Sequence, residues 1–201
     1  MSTLYCANLA AQNAPVPADS AAAIGFTYTL PPDWTVIKAK PLPRPAPGTS
    51  PLLPRRGTAC TDVAETAMRG NPASVIVVVD LPFNCFGQVM TEDDLAGFGS
   101  GAADGIKQDF DLKDVLSTNY SLHGHPFWIE RAKGNPKGRG QEQYMVEIAC
   151  SLLKKGAVCW MATTVDEASL RVFEQTPVEL DGEAATPLVP ATAFTSLPAT
   201  N

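Results

Sequence analysis

The stretch EQYMVEIACSLLKKGAVCWMATTV, residues 142 to 165, restricts the fold more than any other part of the chain. Two apolar runs of strand length flank Lys154, Lys155 and Gly156, a charged turn closed by a glycine, so the segment predicts an antiparallel hairpin. With residues 153 to 156 as the loop, Cys150 faces Cys159, Ile148 faces Met161 and Val146 faces Thr163. A cross-strand disulfide is then geometrically open, whereas other turn registers offset the two sulfurs.

More strands surround this pair. VLSTNYSL and HPFWIERA sit about a His-Gly turn, and SVIVVVD (residues 74 to 80) is a β-branched run that predicts a central strand covered on both faces. In GFTYTL, residues 25 to 30, Phe26, Tyr28 and Leu30 alternate with threonines, the period that buries one face of a strand. Pro31-Pro32-Asp33 then ends ladder pairing, because proline has no N–H to donate, and Trp34 restarts a second strand, WTVIK.

Two helices are expected. Thr91 and Asp94 form a capping box ahead of Leu95, Phe98, Ala102, Ile106 and Phe110, spaced three and four apart. Gly97, Gly99, Gly101 and Gly105 weaken that helix by roughly 1 kcal/mol each relative to alanine, so packing must hold it, and small residues let it lie close to a sheet. Thr164 and Glu167 read as a second capping box before a short helix carrying Leu170 and Phe173, stopped ahead of Pro177. The order of elements is α+β, an antiparallel β-sheet flanked by helices in an α/β/α sandwich.

A length of 201 residues suits one domain. Residues 1 to 23 read as a signal-peptide remnant and disordered linker: the small residues resemble the end of a secretory signal cut near Ala10 or Ala11, with the charged start expected upstream. Residues 24 to 182 form the domain, and residues 183 to 201, with three prolines, a disordered tail. PLPRPAPGTSPLLP, residues 41 to 54, suits a polyproline-like surface excursion.

Losing Cys6 with the signal leaves Cys60, Cys85, Cys150 and Cys159, an even set that reads as a disulfide framework with three possible connectivities. Their spacings fit no common zinc signature. The expected place is periplasmic or secreted. A net charge of −6 disfavours nucleic acid as a partner. No apolar run approaches the roughly 18 residues of a membrane span.

Few residues offer chemistry. His123 and His125, two apart, would share one face of a strand and could ligate a metal, but no third ligand is evident. GFGSG at 97 to 101 mimics a phosphate loop without a preceding strand, and the acidic residues at 92 to 94 fit the dipole of a helix start. Arg131, Lys133, Lys137 and Arg139 surround GNPKGRG and form a concentrated positive patch. No nucleophile elbow is readable, no catalytic residue is assigned and no cofactor is implied.

Gly25, Phe26, Pro31 and Trp34, the L-x-G-x-P turn at Leu122, Gly124 and Pro126, the helix before a meander and the closing PVELDG together resemble the PsbP-like/Mog superfamily over residues 24 to 182. The resemblance implies a first hairpin turning on a proline-tryptophan corner, with the aromatic ring plugging one end of the sandwich. Most relatives bind or brace a partner. The expectation is an exported, non-catalytic binding or assembly module with a protein partner in the cell envelope. The alternative is a periplasmic small-molecule or metal-binding protein using His123, His125, Tyr120 and Trp128. A hydrolase built on the aspartate-rich helix ranks third.

Overall fold

The computed structural model describes residues 24–30, 33–37, 62–83, 90–138 and 142–194. Strands β7 (Tyr144–Leu152) and β8 (Gly156–Thr164) form the expected hairpin. Cys150 pairs with Cys159, Ile148 with Met161 and Val146 with Thr163. A disulfide joins the two cysteines.

This hairpin lies inside a seven-stranded antiparallel sheet together with β2 (Thr35–Ile37), β3 (Asp62–Arg69), β4 (Ser74–Pro82), β5 (Phe110–Leu122) and β6 (His125–Pro136). The order is β2-β3-β4-β8-β7-β6-β5, which makes β8 the middle strand. The β-branched run in β4 sits between β3 and β8, but it is not covered on both faces as expected. Ile76 and Val78 are fully buried, while Val75, Val77 and Val79 are only half-buried, because the layer over their face stops short.

The proline-tryptophan segment does not make a hairpin. β1 (Phe26–Tyr28) pairs with β9 (Pro177–Leu180), and β2 pairs with β3. Pairing Phe26 with Leu180 and Tyr28 with Val178 puts four buried apolar side chains on one face, a gain that β2 cannot match with its exposed Thr35 and Ile37. β1, β9 and β10 (Thr186–Pro187) therefore form a second, three-stranded sheet. Trp34 is partly buried against the core beneath it. β3 had no signature in the sequence, since it lacks apolar alternation; it is held as the rung between β2 and β4.

Helix α1 (Glu92–Ile106) starts as expected: the Thr91 N–H and hydroxyl both donate to Asp94 Oδ2, at 2.8 and 2.9 Å. It ends one turn earlier than the periodicity implied, and Phe110 opens β5. Leu95, Gly99 and Ala103 face the sheet over β6 and β7. A Cβ on Gly99 would overlap the Trp128 ring, so the glycine sets how closely helix and sheet approach. Helix α2 (Glu167–Glu174) is capped by Asp166 rather than Thr164. The Asp166 carboxylate accepts from Ser169 N at 2.7 Å, whereas Thr164 ends β8 and donates its hydroxyl to the Asp166 carbonyl.

The large sheet thus separates two cores. One face meets α2 and the small sheet around Phe26, Ile76, Phe127, Trp160, Leu170 and Phe173. The other meets α1 around Leu95, Ala103, Trp128, Ile148 and the disulfide. Residues 183–194 are not a loose tail: Leu188, Val189 and Ala193 are buried in the first core, and Leu188 N donates to the Thr176 carbonyl. Their apolar side chains outweigh the neighbouring prolines. Cys60, Cys85, Arg139, the stretch 41 to 54 and residues 195 to 201 lie outside the described residues. No described helix is long and apolar enough to cross a membrane.

Candidate functional site

Because α1 covers β6 and β7, the part of the same face formed by β4 and β8 stays open beside it among the described residues. The result is an apolar cleft of about 620 Å³. Its floor is Val75, Val77 and Val79 from β4 with Cys159, Met161 and Thr163 from β8. Its wall is the flank of α1, where Phe98, Ala102 and Ile106 project and Gly97, Gly101 and Gly105 recur every fourth residue. Among the described residues, nothing lies within 4 Å of where a Cβ on any of those three glycines would stand. Asp109 and Thr163 supply the polar side chains of the lining. Such a surface can hold an apolar group and orient it at one end; among the described residues it offers no nucleophile with a neighbouring base.

The four residues expected to share a small-molecule pocket do not come together. Tyr120 lies on the α2 face, stacked 4.8 Å from Phe127, and its hydroxyl donates to the Leu188 carbonyl at 2.8 Å. Trp128 lies on the opposite face under Gly99. His123 is exposed at the β5–β6 turn with φ of +49°. His125 is mostly buried, with Nδ1 3.2 Å from the Leu152 carbonyl and Nε2 3.7 Å from Asp181 Oδ2. The two imidazoles serve different surroundings, and no group of three or more His, Cys, Asp or Glu among the described residues could hold a metal.

The positive patch is also divided. Lys133 pairs with Asp114 at 2.7 Å, and Lys137 donates to the Lys107 carbonyl at 2.6 Å. Arg131 points into the α2 face, where Nε donates to Glu147 Oε2 at 2.9 Å and the terminal nitrogen binds Glu174. Of the acidic residues, Asp94 caps α1 and Asp104 pairs with Lys107. Thr91 holds the Asp94 carboxyl below its ordinary range through a hydrogen bond from its backbone N–H.

Glu147 and Glu174 were not singled out in the sequence. Glu147 is fully buried, and burial first, then the Glu174 charge, pushes its carboxyl up to about 8 against the opposing pull of Arg131. Burial and the same two carboxylates also push the Tyr120 hydroxyl well up. The signal was one acidic residue inside the apolar strand YMVEIACSL. For the cleft, the signal was glycine at every fourth position of a helix.

No protein-family model matches the chain, and no curated protein matches it. Among solved structures, the solution structure of cyanobacterial PsbP (CyanoP) from Synechocystis sp. PCC 6803 is similar at a TM-score of 0.40 and 11% identity, covering 75% of this chain and 80% of that one. A likeness of that size decides neither the family nor the function of this chain.

Proposed function

We propose that the chain is an exported, non-catalytic binding module of PsbP-like fold that holds a protein partner of the cell envelope through the cleft beside α1. The cleft itself carries the reading: half-buried valines and a bare glycine flank leave apolar surface in a shaped site, which marks binding more than catalysis. The Cys150–Cys159 disulfide supports a place outside the reducing cytoplasm, periplasmic or secreted. The motif at Gly25, Phe26, Pro31 and Trp34 supports the family.

The test is a photo-crosslinker, p-benzoylphenylalanine, in place of Phe98 in cells of the native host. A discrete protein adduct that disappears when Met161→Trp fills the floor is expected. No adduct, or one indifferent to Met161→Trp, overturns the reading. The volume of about 620 Å³ also favours a second reading, a small apolar ligand. Native mass spectrometry of the purified protein would then show a bound mass of a few hundred daltons, lost in the Met161→Trp variant, on the order expected for a cleft of this size.

A further inference from the structure

We propose that Glu147, Arg131 and Glu174 form a proton-operated clamp: with one carboxyl protonated the cluster holds α2 and residues 186–194 against the sheet, and with both ionised it releases them. The cluster lies on the α2 face, across the sheet from the cleft, so it is separate from the binding reading.

The geometry places one guanidinium between two carboxylates. Arg131 comes from β6, Glu147 from β7 and Glu174 from the last turn of α2. From β5 the group facing them is the neutral Tyr120 hydroxyl. From β8 the residue opposite Glu147 is Ala162, and the segment TPLVPATAF at 186–194 carries no charge. With both carboxyls ionised the cluster holds a net negative charge in a site where Glu147 has no accessible surface. Its Oε1 accepts from no N–H or hydroxyl donor among the described residues, and the Glu174 carboxyl is the group placed to share a proton with Glu147. An uncompensated buried charge is costly, so one proton belongs to the closed arrangement and is shared by the pair.

The segment is attached at the same places, to Arg131 and Tyr120 through their side chains and to Glu174 through its backbone carbonyl. Tyr120 donates to the Leu188 carbonyl, and Val189 N donates to the Glu174 carbonyl at 3.0 Å. The Arg131 guanidinium lies 4.2 Å from the centre of the Phe194 ring. Freeing Arg131 and letting the end of α2 that carries Glu174 move away therefore loosens two of these three attachments.

Burial lifts the Glu147 carboxyl from its ordinary 4.5 to about 8. The closed state binds the proton more tightly than the released state, so the clamp is strongest below the ordinary glutamate range. It weakens as pH rises from there and is weakest once pH passes about 8.

The test is limited proteolysis of the full chain within residues 186–194, normalised at each pH to an unstructured peptide of the same sequence, under conditions where cutting tracks opening. For wild type, cutting rises roughly a hundredfold between about pH 6 and about pH 9, since each unit within the window changes opening about tenfold. Glu147→Gln, permanently neutral, gives a flat profile. If that buried variant does not fold, Glu174→Gln, at the less buried position, leaves Arg131 one carboxylate and removes the second cause of the shift but not burial, so its rise is smaller than wild type's. A wild-type change under about threefold, or a glutamine variant that keeps the wild-type profile, overturns the clamp.

Discussion

On one face of the large sheet Ile76, Val78, Ala162 and Trp160 are sealed under α2 and the small sheet; on the other, Val75, Val77 and Val79 stand half-exposed beside α1. Ile76 and Val78 alternate with Val75, Val77 and Val79 along one strand of near-identical side chains. The composition of β4 therefore does not decide which face is covered; the width of the covering layer does. The covered face also contains the charged cluster of Arg131, Glu147 and Glu174, and the open face is apolar. A sealed layer tolerates ionisable groups when they pair, and an open layer left apolar is surface for something else to cover.

The sharpest way to break this contrast is at Trp160, which packs edge-on at 4.4 Å to Phe26 and stacks 5.9 Å from Phe127. Trp160→Ala should cost about 3–5 kcal/mol of stability, and Val77→Ala on the open face roughly 1 kcal/mol or less. Urea midpoints of the two variants measure the difference. Equal losses would mean that the two faces are equally covered and that no cleft exists.

The disulfide tests the line where roofed and open halves meet, since Cys150 lies beneath α1 and Cys159 lines the cleft. Closing a loop of about ten residues stabilises by about 2–3 kcal/mol in the chain-entropy account. Unfolding with and without reductant, and of a Cys150→Ala/Cys159→Ala double variant, should show that loss. No change on reduction would show that β7 and β8 are held by their ladder alone.

How much of this was legible depends on distance along the chain. The β7–β8 register was readable because two apolar runs and a short charged turn allow few alignments, and in one of them the cysteines face each other. The α1 cap was readable because Thr91 and Asp94 are three apart. The pairing of β1 with β9 was not, since three residues at the start of the domain find partners at Val178 to Leu180. Grouping Arg131 with Lys133 and Lys137 followed the sequence, whereas in space Arg131 turns to Glu147, directly across the β6–β7 pair. The α1 glycines stand out in the sequence, where helix propensity treats all four alike. Their separation into contact and open positions depends on where the sheet extends past the helix.

That separation yields the smallest effect and the one with opposite signs. Gly99 touches the Trp128 ring, which is held between strand and helix and has little room to yield, so Gly99→Ala should destabilise by about 1–3 kcal/mol. Gly101 lies half a turn away and faces the cleft, with no described residue within 4 Å of an added Cβ. There the same change costs no contact and removes the backbone freedom that glycine gives the unfolded chain, so Gly101→Ala should stabilise by roughly 1 kcal/mol. Thermal melts of the two single variants decide it. If both lower the melting temperature alike, α1 is packed on both flanks and the cleft is not open; if they split in sign, the helix pays for bare glycines on that flank without any packing return from the described residues.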